Sequence, residues 1–446
     1  MLALLAALSL TAPSPASPPA SLPHVEVVAE DLYEADVAFA LDAIEEQCAT
    51  LLRLKDIDWK RVRKEFTKEA KKVRSDQEHW VLLQRLIARV QDGHARVNPL
   101  AEIELPEEWD VKRVGPGFFL CRVGKRYYAK VVWSTAEEVG LAPGMEVLSI
   151  DETPVGKWID ARIEEVSDMR SFSTEQHALH WVLNRGFQKP EGDRLKIEFK
   201  DGKKKRKRTI SYRKASSTPE GPAVILEGYE SVGDSVRWAR SPRGFGYLHF
   251  RRTQPEVVEE LDAALAAMGD LDAIPGMILD FRGNSGGGCD HEAFEARFVP
   301  LGQEMERLVR DPLPGAGPKT YGGPLVVIVD GTVVSAGETT SGMFKEDGRA
   351  YMIGESPTAG MSSQKTTFEL PSGLFELKVS IGSNRSSFNG GRGIEGIGVP
   401  PHELVEFDPE ELAAGVDTLI RRAEELLEDF PQKEVRYDPA DHGWGE

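Results

Sequence analysis

The chain has 446 residues, of which 40% are apolar and 29% are charged. This length predicts roughly two to four globular domains, and the composition excludes a disordered, collagen-like or multi-spanning membrane protein. The 55 Lys and Arg residues against 73 Asp and Glu residues give a net charge of −18, which argues against a general nucleic-acid binder because phosphate binding needs positive surfaces.

The first residues have features of an export signal. Residues 2–10 form the apolar run LALLAALSL, and residues 11–21 are rich in Pro, Ser and Ala. A run of about nine residues is too short to span a bilayer, but it fits a signal-peptide core followed by small residues. No Lys or Arg precedes the run, so a frayed terminus or a misassigned start is the alternative. We predict a signal peptide over residues 1–22 and an exported protein, periplasmic or extracellular, with no stable membrane span.

Residues 28–108 are predicted to form an N-terminal helical domain. Apolar residues recur there at spacings of three and four, which place them on one face of a helix. One such stripe extends from Val37 to Leu51 and a second from Trp80 to Val90. The second helix is expected to end near Asp92.

Residues 112–215 have a β-rich pattern. An alternating segment over Val147–Ile150 predicts a strand. Ser173 followed by Gln176 has the spacing of a capping box at the start of a helix. The dipeptide Asp201-Gly202 joins two further predicted strands and is typical of a β-hairpin.

Residues 220–430 alternate predicted strands with helices. The strands are the apolar runs GYLHF, MILDF, PLVVIVD and RAYMIGE. Helices are predicted to begin at Pro255 and Pro409, the second with one apolar face that extends to Leu426. This alternation favours an α/β core with a partly parallel sheet, so the whole chain is predicted to be a multidomain α+β protein. Residues 431–446 are predicted to form a loose tail.

Two segments of this core offer chemistry. Ser335 follows a buried strand and begins a predicted helix, where a nucleophile meets backbone N–H groups and the helix dipole; a helix N-cap is the alternative role for such a serine. The loop Gly283–Gly288 follows another strand, and its N–H groups can approach a ligand closely, as in a phosphate cradle or an oxyanion hole. The absence of a following Gly-Lys-Ser/Thr excludes a P-loop.

His94, in the segment QDGH, is the third candidate, either as a base or as a neutral cap beyond a helix end. The pairs His177/His180 and Asp290/His291 lack further ligands in the sequence, so we assign them to surface faces and predict no metal site. The three cysteines form no CxxC pair, which excludes a cysteine zinc cluster and a disulfide scaffold. No cofactor is predicted.

The segment AEEVGLAPGMEVLSIDETPV resembles a PDZ domain of the bacterial protease-associated kind. It is similar to that family's small-residue helix, glycine turn and following strand. Met145 stands where the family has Asp after the turn glycine, and Glu152 stands where it has Gly. The resemblance implies that residues 112–215 form a PDZ-like domain that binds an extended peptide by adding a strand to a sheet.

The motifs across the chain resemble, in their order, the C-terminal-processing (tail-specific) serine proteases and their tricorn-core and retinoid-binding-protein relatives. These motifs are GYLHF, MILDFRGNSGGG, VDGTVVSAGE, GRAYMIGESPTAG and GRGIEGIGVPPH. The resemblance implies a serine protease core of ClpP/crotonase-like α/β fold with Ser335 as the nucleophile. It also implies oxyanion donors on the backbone of Ala336 and of Gly286 or Gly287.

The processing-protease branch of this family uses a lysine as its base, in the loop that here reads PTAGMSSQ. Alignment on Gln364 places that lysine at Gly360, and alignment on Thr358 places it at Met361, so the Ser-Lys dyad is absent. Gln364 and Ser362 are kept as expected substrate-contacting or supporting residues.

The tricorn-like branch instead uses a His from the helical region and a Glu near the C-terminal motif, and this chain offers His94 and Glu395. The resemblance implies His94 as general base and Glu395 as the orienting carboxylate, and an imidazole pKa of about 6.5 suits a base at neutral pH. That branch has Ser directly before its His, whereas this chain has Gly93, so a fourth member of the network is not assigned.

Two functions follow from these patterns. The first is a serine endopeptidase that cleaves extended or C-terminal polypeptide segments through an acyl-enzyme, with the PDZ-like domain docking or gating the substrate. The alternative is a catalytically inactive ligand- or peptide-binding protein on the same scaffold, as the retinoid-binding relatives suggest. Polypeptides are the expected partners, and the oligomeric state is not predicted.

Overall fold

The computed structural model describes residues 29–103, 113–217, 224–308, 310–382, 387–432 and 435. The predicted signal peptide lies outside the described residues, as does most of the predicted tail. Among the described residues, no helix combines the length and the apolar character needed to cross a membrane.

The elements are numbered here in chain order. The helices are α1 (Ala29–Gln47), α2 (Ala49–Leu54), α3 (Trp59–Ala70), α4 (Asp76–Ala88), α5 (Ser134–Glu138), α6 (Val155–Met169), α7 (Glu175–Arg185), α8 (Val257–Ala267), α9 (His291–Ala296), α10 (Ala336–Glu346), α11 (Pro409–Ala413) and α12 (Thr418–Glu428). The strands are β1 (Arg96–Pro99), β2 (Arg113–Val114), β3 (Phe118–Val123), β4 (Arg126–Val132), β5 (Glu146–Ile150), β6 (Thr153–Pro154), β7 (Lys189–Pro190), β8 (Arg194–Asp201), β9 (Lys204–Ser211), β10 (Glu230–Val232), β11 (Val236–Arg240), β12 (Gly246–Phe250), β13 (Met277–Asp280), β14 (Glu304–Met305), β15 (Leu313–Pro314), β16 (Leu325–Val329), β17 (Tyr351–Gly354), β18 (Lys365–Glu369), β19 (Phe375–Ser380) and β20 (Glu403–Leu404).

Helices α1 to α4 bury the two apolar stripes that the spacing predicted. The buried members are Val37, Leu41, Ile44, Cys48, Leu51, Trp80, Leu83, Leu86, Ile87 and Val90. The side chains of Asp58 and Ser75 begin α3 and α4 by accepting backbone hydrogen bonds, as N-caps do. The helices therefore form where amphipathic periodicity and capping agree.

A small antiparallel sheet in the order β1-β19-β18 packs on these helices. Strand β1 follows α4 directly, but β18 and β19 come from the range predicted for the C-terminal core. Phe375, Leu377 and Val379 of β19 join the core of the four helices. The hairpin thus ties the beginning of the chain to its end, a pairing that local sequence patterns do not encode.

The middle of the chain forms an antiparallel sheet in the order β3-β4-β5-β8-β9, with helices α5 to α7. The predicted strand at Val147–Ile150 lies within β5, and the predicted hairpin at Asp201-Gly202 joins β8 to β9. The predicted cap at Ser173 is wrong. Thr174 is the N-cap of α7, and its hydroxyl oxygen accepts a hydrogen bond from the N–H of His177, which leaves Ser173 available for a different contact.

The C-terminal core is a seven-stranded sheet in the order β10-β11-β12-β13-β16-β17-β20. The five strands from β12 to β20 are parallel, and β10 and β11 are antiparallel. Leu279 and Val327 pack with α8 to α10 on one face, whereas Ile278 and Val326 pack with α12 on the other. Burial on both faces explains the continuous apolar runs. The multidomain mixed α/β fold that the sequence predicted is confirmed.

The last predicted helix is broken into α11 and α12. Gly415 adopts a φ of +74° between them, and Val416 is 37% exposed. Asp417 then caps α12 by accepting hydrogen bonds from the backbone N–H groups of Leu419 and Ile420. The apolar spacing continued across the break, so periodicity alone predicted one helix where the backbone forms two.

Candidate functional site

Ser335 lies on a tight turn between the parallel strand β16 and helix α10. Its backbone has φ 56° and ψ −123°, a left-handed conformation that is costly for a residue with a side chain. The turn presents the hydroxyl at the carboxyl edge of the sheet, where parallel sheets place their functional groups. The Ser335 Oγ lies 2.9 Å from Nε2 of His94. The fold therefore brings together two residues that are 241 positions apart in the chain.

Glu338, in the first turn of α10, holds the backbone around Ser335. Its carboxylate accepts hydrogen bonds from the N–H groups of Ser335 (3.0 Å), Gly360 (2.6 Å) and Met361 (2.9 Å), and from the hydroxyl of Thr358 (2.6 Å). Burial raises the pKa of Glu338 to about 7 despite these hydrogen bonds. Glu338 ends the motif VDGTVVSAGE, but no sequence pattern indicated a role for it.

The loop Gly283–Gly288 lies against the turn, and one of its predicted oxyanion donors is already used. The Gly286 N–H donates to Oδ1 of Asn284 at 2.9 Å. Gly286 is therefore not available as an oxyanion donor, and its prediction as one is wrong. Gly286 instead provides close packing, since an added Cβ would lie 2.8 Å from Cβ of Ser335. Within the described part of the chain, the N–H groups of Gly287 and Ala336 have no hydrogen-bond acceptor.

The side chain of Asp92 holds the backbone of His94 in place. The N–H groups of His94 and Ser380 each donate to Asp92 at 2.8 Å, and Ser380 belongs to β19. Nδ1 of His94 is 3.8 Å from Asp92 Oδ1, which is too far for a hydrogen bond. Burial lowers the pKa of His94 to about 4 against the opposing effect of Asp92, and nearby cations contribute to the lowering. The ring is therefore neutral at pH 7 and can accept a proton.

Glu395 is buried beside the same imidazole. Its Oε1 accepts hydrogen bonds from Nζ of Lys55 at 2.7 Å and from the hydroxyl of Ser173 at 3.1 Å. Its Oε2 has no hydrogen-bond partner among the described residues. One donor atom from each of Asp92, His94 and Glu395 lies within 4.8 Å of the others. Burial raises the pKa of Glu395 to about 7 even though Lys55 opposes this.

Ser173 supplies a hydroxyl to this network from outside the motif around His94. It accepts a hydrogen bond from the Gly93 N–H at 2.9 Å while it donates to Glu395. A Cβ at position 93 would lie 2.5 Å from Sδ of Met361, so a side chain at position 93 would require Met361 to move. Sequence reasoning missed both Ser173 and Lys55, because each comes from a segment distant from the motifs.

The two predicted supporting residues lie beside the site and not in it. Oγ of Ser362 is 2.8 Å from Oγ1 of Thr339 on α10. Gln364 is exposed, and its carbonyl accepts a hydrogen bond from the Ile381 N–H. Neither residue lines the cavity of about 450 Å³ that contains both Ser335 and His94.

The assignment of His180 to a surface face is wrong. His180 is buried, with Nδ1 3.0 Å from the carbonyl of Gln176 and Nε2 3.7 Å from Glu355. His180, Asp330 and Glu355 have donor atoms within 4.8 Å of one another, a grouping that could hold a metal ion. Nζ of Lys130 lies 3.7 Å from Glu355, as Nζ of Lys55 lies 2.7 Å from Glu395. Each cluster therefore has a lysine beside one of its two carboxylates.

A strained serine at a strand-to-helix turn, in hydrogen-bond reach of a neutral imidazole that has a carboxylate beside it, is the arrangement of serine-type hydrolases. Comparison with known proteins agrees with this class. Residues 244–405 match Peptidase family S41. Residues 244–405 are therefore similar to a peptidase family S41 domain, and the protein is a serine-type peptidase, a class whose substrates are polypeptides.

Known relatives extend the comparison beyond that domain. The chain is 23% identical over 389 residues to a carboxyl-terminal-processing protease of Synechocystis sp., covering 83% of this chain and 81% of the relative. The crystal structure of mature CPAF superposes with a TM-score of 0.66 at 12% identity, covering 93% of this chain and 99% of that one. A peptidase structure from Parabacteroides merdae gives 0.50 at 16% identity, with 91% and 99% covered. The resemblance that the motifs indicated is confirmed, and the structural matches show the shared fold.

Proposed function

We propose that the protein is a serine endopeptidase that cleaves extended or C-terminal polypeptide segments through an acyl-enzyme, with Ser335 as nucleophile and His94 as general base. The observation that carries this proposal is the 2.9 Å separation between Oγ of Ser335 and Nε2 of His94. A hydroxyl is a weak nucleophile until an adjacent base takes its proton. The imidazole is in position to do so without any movement of the backbone.

The proposed reaction has two halves. The Ser335 oxygen attacks the scissile carbonyl carbon while its proton passes to Nε2 of His94, and the N–H groups of Gly287 and Ala336 donate to the resulting oxyanion. The imidazolium then protonates the leaving amine as the C–N bond breaks, which leaves the acyl-enzyme. Water, deprotonated by the same imidazole, attacks the ester and releases the new carboxyl terminus together with free Ser335.

The proposed role of Glu395 is to stabilise the imidazolium that forms in each half. Its Oε2 is buried without a partner among the described residues, and so is Nδ1 of His94. Two buried groups without hydrogen-bond partners are costly at rest, and a carboxylate beside the ring is favourable once the ring becomes charged. Lys55 and Ser173 fix the other oxygen and thereby orient the carboxylate.

The proposed docking or gating role of the middle, PDZ-like unit is supported by its contacts with the site. The hydroxyl of Thr174 donates to the carbonyl of Ala359 at 2.7 Å, and the amide of Gln176 donates to the carbonyls of Thr358 and Ile397 at 3.0 Å each. The start of α7 therefore holds both the loop that contacts Glu338 and the segment that carries Glu395. Displacement of α7 would disturb both.

Export of the protein, with residues 1–22 as a signal peptide, remains part of the proposal.

A fluorophosphonate probe should label this protein at Ser335. The expected adduct is a phosphonate ester on Oγ, with fluoride as the leaving group, identified by peptide mass spectrometry. Ser335→Ala should remain unlabelled, and Ser341→Ala, which removes a buried serine of the same helix, should label like the parent. An unlabelled parent would favour the inactive binding protein, and labelling at another serine would show that the nucleophile is wrongly assigned.

The pH profile tests Glu395. Since an uncharged Glu395 cannot stabilise the imidazolium, kcat/KM should fall as the pH drops below about 7, the raised pKa of this carboxyl. In Glu395→Gln the maximal rate should be lower, and the remaining acid limb should move toward pH 4, the lowered pKa of His94. If the limb stays near pH 7 in Glu395→Gln, it belongs to Glu338, whose pKa is also raised to about 7, and the role given to Glu395 is wrong.

A further inference from the structure

The cavity around Ser335 and His94, called here the Ser335 cleft, is cationic in an acidic protein. Four basic residues line it, and none of its lining residues in the described part of the chain is acidic. The basic residues are Arg96, Arg170, Lys365 and Lys378. The chain as a whole has a net charge of −18, so a concentration of positive charge at this one place needs a specific explanation.

Three of these cations repel one another on a single face of a sheet. Arg96 of β1 pairs directly with Lys378 of β19, and Lys365 of β18 pairs with Ser380, two residues further along. Side chains two apart on a strand share a face, and like charges directly opposite each other destabilise a sheet. Burial and then the charge of Lys378 lower the pKa of Lys365. The fold thus keeps Lys378 between two like charges, although replacing this one lysine by a neutral residue would remove most of the repulsion.

The carboxylates nearby relieve this repulsion only in part: Asp92 and Glu395 act to raise the pKa of Lys365, but burial and Lys378 outweigh them. Asp92 accepts hydrogen bonds from backbone N–H groups, and Glu395 is paired with Lys55. Glu376 lies two residues along β19 from Lys378 and accepts a hydrogen bond from Asn98. Among the described residues, no carboxylate oxygen lies within ion-pair distance of any of the four cations in the Ser335 cleft.

The fourth cation comes from a different element. Arg170, at the end of α6, places its guanidinium 4.9 Å from the ring centroid of Trp181. Such stacking holds a guanidinium in place and leaves its N–H edge free to bind oxygen. The Ser335 cleft therefore takes its cations from two parts of the fold, the β1-β19-β18 sheet and the end of α6.

We propose that the Ser335 cleft selects polypeptide segments that bring carboxylates next to the scissile bond. The inference rests on the proposed endopeptidase function and names its substrate class. A carboxylate bound between Lys365, Lys378 and Arg96 would form charge-assisted hydrogen bonds and would end their mutual repulsion. It would also screen the same three cations that contribute to the lowered pKa of His94, so an acidic substrate would make the base stronger on binding.

Matched fluorogenic peptides test this substrate class. One set keeps a single backbone sequence with an amidated end and changes Asp and Glu to Asn and Gln around the scissile bond. A second set keeps neutral side chains and compares a free with an amidated C-terminus, which separates side-chain from terminal carboxylates. In either set the carboxylate form should have a kcat/KM about tenfold or more higher at low ionic strength, and salt should reduce the ratio. Equal rates for charged and neutral forms in both sets would overturn the proposal.

Variants link the preference to the sheet. Lys378→Gln and Lys365→Gln should each lower the ratio of kcat/KM for the charged substrate to kcat/KM for the neutral substrate severalfold. Lys64 is an exposed lysine on α3, and Lys64→Gln should leave this ratio unchanged. Lys378→Gln is expected to fold, because it removes a like-charge pair, and its unfolding midpoint provides the check. An unaltered ratio in both cleft variants would refute the role of the sheet.

Binding separates this inference from the proposed function. In Ser335→Ala, fluorescence anisotropy with the same peptides should show the same preference for the carboxylate form. If the parent cleaves nothing but this preference is present, the endopeptidase proposal fails and the recognition stands. If the parent cleaves peptides and no preference is found in cleavage or in binding, the recognition fails alone.

Discussion

His94→Ala should slow peptide cleavage by roughly 10⁴-fold or more, with little change in folding. The hydroxyl of Ser335 has the imidazole 2.9 Å away to receive its proton. The predicted lysine of the processing-protease branch is replaced by Gly360 or Met361, so neither position supplies a second base. The measurement is kcat/KM on one peptide substrate for parent and variant, with thermal unfolding to confirm that the fold is retained.

The double variant gives the sharper result. Residues that act as one unit lose their contributions together, so Ser335→Ala combined with His94→Ala should be no slower than Ser335→Ala alone. Additive losses would show that His94 acts separately from Ser335. If His94→Ala retained more than about a tenth of the parental rate, which is far above the loss of a triad member, the base would have to be sought among the cations of the Ser335 cleft, first at Lys365.

The parts of the fold that sequence could predict are those with a local cause. The apolar stripes of α1 and α4 follow from spacing, and the central parallel strands follow from continuous apolar runs. Ser335 could be named as a candidate because it follows a strand and begins a helix, but only the resemblance favoured a nucleophile over a helix cap. His94 could be named only through the resemblance, since its position beyond a helix end is equally typical of a cap.

The parts that sequence could not predict depend on long-range contacts. The hydroxyl of Ser173 reaches Glu395 across 222 residues, and Lys55 reaches the same carboxylate across 340. Nothing near either residue indicates a partner so far away. Ser173 was interpreted as a helix cap because Ser followed by Gln176 has that spacing, but Thr174 serves that purpose. The break between α11 and α12 was missed because the apolar spacing typical of one helix continues across the turn at Gly415.

The structure also shows how the glycine loop is held, and this leads to the largest expected effect on stability. Arg282, directly before Gly283, is almost fully buried between two carboxylates. Its Nε donates to Asp280 at 3.0 Å, and its Nη1 donates to Asp417 at 3.0 to 3.1 Å. Asp280 ends strand β13 and Asp417 begins helix α12, so one guanidinium joins the sheet, the loop and the last helix.

Arg282→Leu should therefore lower the free energy of unfolding by about 3–5 kcal/mol, because it leaves two buried carboxylates without a counter-charge. Arg63→Leu, which breaks two surface pairs between α3 and α1, should cost at most about 1 kcal/mol. Denaturant unfolding at pH 7 measures both. Equal losses of unfolding free energy in the two variants would mean that Arg282, buried between Asp280 and Asp417, contributes no more to stability than a surface ion pair.

The pH dependence of this loss distinguishes an electrostatic cause from lost packing. Burial acts to raise the pKa of Asp280, but Arg282 outweighs it and the folded-state pKa lies below the usual value. The parent therefore gains stability from Asp280 above the unfolded-state pKa of about 4, and loses it as the pH falls below that. In Arg282→Leu that gain is absent, and Asp280, still buried but without the guanidinium, protonates at higher pH. The difference between parent and variant should therefore shrink from pH 7 to pH 4. A difference that stays constant over this range would attribute the loss to the missing side-chain volume, and the guanidinium would then hold the loop by packing and not by charge.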